Sequence, residues 1–251
     1  MFLLIDKPKG ISSHDVVNRI RRITGEKRVG HAGTLDPNAT GLLIVAVGRD
    51  STKKLSEFLK LDKEYLAEIT LGEERDTDDA LGKIVKSLSL SVREDLSRKQ
   101  VRISHNTKSV RDDKAGIESL PTLSREKVEN ALKSFVGKHV QIPPEYSAIK
   151  VKGKNAYEYA RKGISLSLSS RKVVIYSIEL IDYSFPVIKL NVKVSSGTYV
   201  RSIARDLGRK LGTFAYLSNL KRSQVGKYLI KNALDLDSLT SENWKEYSFN
   251  I

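Results

Sequence analysis

The sequence predicts an α+β fold: a mixed, largely antiparallel central sheet flanked by helices. Three observations predict it. Residues 64–72, EYLAEITLG, alternate apolar and polar positions as a half-buried strand does, and residues 172–195 hold two more apolar-rich strands. Residues 12–23, 124–136 and 201–211 carry apolar side chains at helical spacing. Strands and helices do not alternate regularly enough for a doubly wound parallel sheet, and no internal repeat is present.

In chain order, residues 2–5 read as a strand, and Pro8 with Gly10 turns the chain. Ser12 or Ser13 caps a helix reaching about Ile23, with Val16, Val17 and Ile20 on one face and Arg19 and Arg22 on the other. GHAGTLDPNATG, residues 30–41, reads as a loop, residues 42–47 as a buried strand, and residues 51–60 as a helix. After the strand at 64–72, ERDTDDALG reads as an acidic turn. An EF-hand needs further oxygen ligands and a closing Glu, and Ala80 and Ser87 stand where those belong. Residues 88–123 are polar and weakly periodic, so they read as an insertion. Ser124 caps the helix at 124–136, which turns Val128, Ala131, Leu132 and Phe135 to one side. A short helix follows at 155–162, then strands at 172–184 and 187–195 joined near Phe185-Pro186. The helix at 201–211 begins at Arg201, and short strands near 213–220 and 223–230 follow it.

Composition narrows the function. With 39% hydrophobic and 29% charged residues, the chain of 251 is globular in type. Its longest apolar run, residues 42–47, is far too short to span a bilayer. The N-terminus lacks a small-residue cleavage site and reads as a strand rather than a signal peptide. There is no cysteine, which excludes disulfides, thiolate zinc sites and cysteine nucleophiles and suits the cytoplasm. His14, His31, His105 and His139 are scattered, against a histidine metal cluster.

The net charge of +14 favours a polyanion partner. Residues 189–231 hold ten Lys/Arg and one acid, Asp206, interleaved with Tyr199, Phe214, Tyr216 and Tyr228. Cations for phosphates and rings for bases suit nucleic acid better than a solvated face. Phosphate-loop, dinucleotide, zinc-peptidase and nucleophile-elbow motifs are all absent.

One constrained loop remains. Gly30, Gly33 and Gly41 permit backbone angles that other residues resist, and Pro37 pushes Asp36 away from helical geometry. An Asp-Pro alone is usually a turn-former. The small residues around this one leave room for a ligand.

GHAGTLDPNATGLL resembles the signature of the TruB family, bacterial tRNA pseudouridine-55 synthases. LLIDKPKGISSHDVV, DKEYLAEITLGEERDTDDALGKIV, QIPPEYSAIKVKGKNAYEYARKG, SSGTYVRSIARDLGRKLG and LSNLKRSQVGKY resemble further blocks of that family in the same order, covering about 1–86 and 119–231. The resemblance implies a pseudouridine synthase fold and isomerisation of uridine in the T loop of tRNA, by base flipping and without cofactor or metal. It implies that Asp36 is the catalytic carboxylate, acting as nucleophile or base. Arg201 would pair with it, since a guanidinium restores the charged form of a buried carboxylate. Tyr65 would stack on the base, Tyr199 and Leu220 would line the uracil pocket, and His31 would lie near the space left by the flipped nucleotide. Lys150, Lys152, Arg161, Arg171 and Arg222 are candidate RNA-backbone contacts.

Some positions depart from the family pattern: Ala32, Arg75, Leu81 and a long connection at 87–118. The expected arrangement is a catalytic domain over 1–231 with that insertion. A short tail over 232–251 would follow, too small for the PUA RNA-binding domain of many relatives. The expected partner is the tRNA T arm, with no membrane, no obligate protein partner and a monomeric state. The alternative is a non-catalytic tRNA-binding or RNA-folding module. Intact Asp36, Tyr65 and Arg201 favour the enzyme.

Overall fold

A mixed sheet carries the molecule in a computed structural model that describes residues 1–89, 93, 96, 123–151, 153–164 and 166–251. Its main strands are β1 (Phe2–Lys7), β3 (Thr40–Val47), β4 (Lys63–Leu71), β7 (Gly137–Gln141), β10 (Arg171–Ser184), β11 (Val187–Val194) and β12 (Ala215–Val225). A two-residue strand, β14 (Leu234–Asp235), completes the order β14-β1-β3-β12-β4-β11-β10-β7. β2 (Val29–Ala32) adds to β3, and β13 (Tyr228–Leu229) adds to β12. All these pairings are antiparallel except β1 with β14 and β3 with β12. The expected α+β class holds, and no described helix is long and apolar enough to cross a membrane.

The apolar run of β3 follows from burial on both faces. Leu43, Val45 and Val47 enter one cluster with Val16, Val17 and Ile20 of α1 (Ser13–Thr24). Leu42, Ile44 and Ala46 enter a second cluster with Phe2, Phe58 and Val225. A strand covered twice loses polar alternation. The first cluster also takes Val128 and Leu132 of α4 (Arg125–Lys133) and Ile203, Leu207 and Leu211 of α6 (Val200–Leu211). Ser12 caps α1 in a reciprocal capping box with Asp15, which frees Ser13 for another task.

Several expectations need correction. His31 lies in β2, not in a loop, because β3 offers its edge to residues 29–32. The helix expected over 51–60 is two short ones, α2 (Arg49–Lys53) and α3 (Leu55–Leu59), broken at Lys54. The last two strands are one long strand, β12, with register shifts at Leu217/Asn219 and Arg222/Gln224. The region read as tail packs back on β1. Leu236, Leu239 and Trp244 are buried, and Phe249 exchanges two backbone hydrogen bonds with Phe2. Most of the expected insertion at 87–118 lies outside the described residues.

β3 and β12 meet at Gly41, which sits at φ +101° opposite Arg222. A Cβ there would lie 2.4 Å from the Arg222 carbonyl oxygen. Gly41→Ala is expected to cost about 3 kcal/mol of stability, from backbone strain plus forced separation of the strands. Urea denaturation reads this, and an unchanged midpoint would contradict so close an approach.

Candidate active site

Six chain segments meet at one cleft of about 290 Å³. They are the loop at 33–36, Leu59 of α3, β4, Ala148, the segment from Ser195 to Arg201 and β12. The volume is at the small end of small-molecule sites and suits one nucleoside rather than a strand of RNA. Asp36, Tyr65, Tyr199, Arg201 and Leu220, all singled out from sequence, line it.

The loop that carries Asp36 is pinned on both sides. The Ser13 hydroxyl donates to the Leu35 carbonyl at 3.0 Å and accepts from the Leu35 N–H at 2.9 Å. The Pro37 carbonyl accepts from the Gly10 N–H at 2.8 Å. Lys7 Nζ, fully buried, donates to the Ile11 and Pro8 carbonyls at 2.7 and 2.9 Å. The Asp36 carbonyl closes a turn to the Ala39 N–H at 3.0 Å, so the turn-forming role is real but belongs to the backbone. The carboxylate instead reaches Arg201, with Oδ2 at 3.0 Å from Nε.

Arg201 is anchored on three sides. Nη1 donates to the Thr77 carbonyl at 2.9 Å, and Nη2 to the Tyr146 carbonyl at 3.0 Å. Asp79 Oδ2 lies 3.6 Å from Nη1. The Arg201 side chain is only 5% exposed, while that of Asp36 is 36% exposed. The cation is therefore a fixed part of the wall, and the carboxylate is the member a ligand can touch. Burial pushes the Asp36 carboxyl above the usual aspartate range; Arg201 opposes that rise, Asp79 adds to it and Lys7 opposes it. Burial likewise pulls Lys7 down to about 8, with Asp36 working against the fall.

Tyr65 is set by strand alternation, facing the same way as Lys63 and Ala67 in β4. Tyr199 precedes α6 and is held by Gln141, whose amide accepts from the Tyr199 N–H at 2.8 Å and donates to its carbonyl at 3.0 Å. The Arg171 guanidinium lies 5.4 Å from the Tyr199 ring centre and donates to the Gly197 carbonyl at 3.3 Å. Lys63, at the cleft wall, donates to the Leu59 carbonyl at 2.7 Å and to the Leu61 carbonyl, and burial draws it down to about 8.

One expectation fails in place. Arg222 is 1% exposed and donates to the Leu42 and Gly33 carbonyls at 2.7 and 3.0 Å. It holds the cleft floor together and does not present a cation to RNA phosphates. His31 is half-buried on β2 and does not line the cleft. Burial and the nearby Arg222 lower its pKa. Lys150 and Arg161 are exposed as an RNA contact requires, with Arg161 5.2 Å from the Tyr157 ring centre. Lys152 lies outside the described residues.

Sequence reading placed an acidic turn at ERDTDDALG but missed its part in the site: Asp79 is buried beside Arg201, and the same turn supplies the Thr77 carbonyl. The available signal was Arg201, Arg205 and Arg209, spaced four apart on one helix face opposite a run of acids. Gln141 and Ser13 act on backbone groups distant in sequence, and no local pattern announces such contacts.

Comparison with known proteins adds the family. A model of the TruB family pseudouridylate synthase N-terminal domain matches residues 21–104 and 97–200. A tRNA pseudouridine synthase B of Desulfotalea psychrophila is 39% identical, over 95% of this chain and 87% of its own length. Namesakes in Clostridium tetani and Caldanaerobacter subterraneus are 39% and 42% identical, over 96% and 93% of this chain and 73% and 71% of their own lengths. A chain in the archaeal box H/ACA sRNP Nop10-Cbf5 complex matches with a TM-score of 0.63 at 23% identity, covering 98% of this chain and 55% of that one. One in a Cbf5-Nop10-Gar1 complex gives 0.64 at 24%, covering 99% and 56%. At that identity the likeness speaks for the fold.

Proposed function

The chain belongs to the TruB family of pseudouridylate synthases, and from that premise we propose that it isomerises uridine 55 in the T loop of tRNA with Asp36 as the reacting carboxylate. Pseudouridine synthesis on tRNA is the activity that the names of its relatives carry. The position of the uridine and the role of the aspartate are the finer reading. The observation behind that reading is the meeting of Asp36 and Arg201 at 3.0 Å in a cleft that Tyr65, Tyr199 and Leu220 complete.

A uridine stacked in an RNA loop is out of reach of a carboxylate in a cleft. The enzyme extrudes it, offsetting a few kcal/mol of lost stacking with new contacts. Tyr65 and Tyr199 offer ring faces for the base, and Leu220 an apolar wall. The reaction breaks the N1–C1′ bond, turns the freed uracil and joins its C5 to C1′ with loss of the C5 proton and protonation of N1. The ionised Asp36 drives it by adding to C6 of the uracil, by displacing the uracil anion at C1′, or by removing the 2′ proton as the uracil anion leaves. Each route needs an anion beside the nucleoside, and Arg201 keeps it one against the cost of burial. Lys150, Arg161 and Arg171 are proposed to meet the T-arm backbone, and the protein is proposed to act as a monomer.

The test is direct. Purified protein is incubated with an unmodified T-arm transcript, without guide RNA, and pseudouridine is mapped. Product at the T-loop uridine is expected, and its absence would sink the proposal. The pH dependence has a definite sign. Because burial raises the Asp36 pKa, the anion is lost as pH falls through a value above the usual aspartate range. The single-turnover rate is expected to drop over that window, and a rate holding down to the ordinary aspartate range would contradict the assignment.

A further inference from the structure

Arg201 draws its two carbonyl acceptors from two different segments, Thr77 in the acidic turn and Tyr146 in the stretch before β8 (Lys150–Val151). One helical turn further along α6, Arg205 grips the same two segments. Its Nη1 lies 2.9 Å from Asp78 Oδ2, and its Nη2 donates to the Ile142 carbonyl at 3.1 Å. Its Nε also donates to Asp206 at 2.9 Å. Asp78 is 6% exposed and Arg205 is 8% exposed, so solvent hardly screens the pair. Ser202, between the two arginines, adds a hydroxyl bond to the Ile142 carbonyl at 3.0 Å.

Asp78 is the hinge of the turn. It is a non-glycine residue at φ +59°, in the left-handed region that an L side chain adopts at a cost. Its carbonyl accepts from the Leu217 N–H at 3.0 Å, tying the turn to β12. Its chain neighbours are the two residues that meet Arg201, Thr77 through its carbonyl and Asp79 through its carboxylate.

We propose that Arg205 and Asp78 are positioning residues for the reaction: their ion pair fixes the turn and the 142–146 segment, and through them the plane of the Arg201 guanidinium against Asp36. Neither residue lines the main cleft, so neither touches the nucleoside. They act through Arg201 alone. This rests on the reading of Asp36 as the reacting carboxylate. A loosened Arg201 opposes the burial of Asp36 less well, and the carboxylate then takes a proton at higher pH. Asp78 sits among several charges: Arg205 in contact, with Arg201, Arg209 and Asp206 nearby. Burial pushes its own carboxyl up to about 6 against the three arginines. In the wild type the pair therefore weakens as pH falls through about 6, in the direction that also disfavours the Asp36 anion.

The test uses the full chain on the T-arm transcript with two variants, Arg205→Lys and Asp78→Asn. Lysine keeps a cation beside Asp78 and protects folding but cannot bridge Asp78 and the Ile142 carbonyl with one planar fork. Each variant is expected to lose on the order of 10-fold in kcat near neutral pH, with KM nearly unchanged. The acid limb of kcat is expected to move to higher pH, so that the loss shrinks as pH rises. A loss equal at every pH with the limb unmoved, a loss confined to KM, or wild-type rates would each overturn the proposal. An inactive wild type overturns the parent reading and this one with it. An active wild type beside an unmoved limb overturns this one alone.

Discussion

Replacing Asp36 by asparagine is expected to reduce pseudouridine formation on the order of 10⁴-fold or more, because it removes the one group that every route requires. The fold is expected to survive. The loop is held by backbone groups and by other side chains: Ser13 on Leu35, Gly10 and, at 3.5 Å, Lys7 on the Pro37 carbonyl, and the Asp36 carbonyl with Ala39. Asparagine keeps an acceptor for Arg201, which retains the Thr77 and Tyr146 carbonyls. Burial already disfavours the Asp36 anion, so the folded state loses little when the charge is removed. Binding of the T arm rests on the basic surface and the rings and should stay near wild type. Circular dichroism, filter binding and a pseudouridine map separate these effects. A rate within about tenfold of wild type would remove Asp36 from the chemistry. A wild type that binds and forms no product would restore the alternative of a non-catalytic module.

The parts legible in the sequence were those whose signal is local. β4 follows from EYLAEITLG because its apolar positions alternate, with Leu66 the one apolar residue on the exposed face, as in a strand covered on one side. α1 and α6 follow from apolar spacing, and Ser12 and Gly25 mark the ends of α1. β2 was not legible, because Val29 to Ala32 includes a glycine and a histidine and owes its strand form to the edge of β3. β12 was read as two strands because Lys221, Arg222 and Ser223 interrupt its apolar pattern. Arg222 belongs there for a non-local reason: its guanidinium replaces solvent for the Leu42 and Gly33 carbonyls.

The site divides in the same way. Asp36, Tyr65, Tyr199, Arg201 and Leu220 were found through ordered blocks resembling one family, and the cleft gathers all five. The acidic turn was read without its partners, because charge density on paper does not show burial. Glu74, Asp78 and Asp79 are each under 8% exposed. Each has an arginine of α6 against it, with Arg209 gripping Glu74 through two bonds of 2.8 and 2.7 Å. A run of acids is a solvated face only when no matching run of cations folds onto it.

Arg201→Met is expected to cost stability and activity together, and pH tells the two effects apart. The side chain is buried and holds two carbonyls besides Asp36, so its loss leaves a carboxylate without its cation and two acceptors without donors. Arg201 is buried but Asp36 is 36% exposed, so solvent takes up part of the loss and the cost is about 2 kcal/mol. With the guanidinium gone, burial acts on Asp36 against Lys7 alone, with Asp79 adding to the rise. The folded-state pKa of Asp36 therefore climbs further above its unfolded value. A folded state that binds the proton more tightly than the unfolded one is relatively stabilised as pH falls. The deficit of the Met variant is accordingly greatest above the raised pKa and shrinks as pH drops through it. Activity moves the opposite way, because chemistry needs the anion and recovers only as pH rises. Arg201→Lys keeps the charge and much of the stability. One ammonium cannot serve Asp36, Thr77 and Tyr146 from a fixed plane, so a loss on the order of 10²-fold in kcat is expected. Denaturant titrations and single-turnover rates at matched pH values read both trends. A stability deficit independent of pH, or activity parallel to it, would mean that Arg201 serves the fold and leaves the charge of Asp36 to other groups.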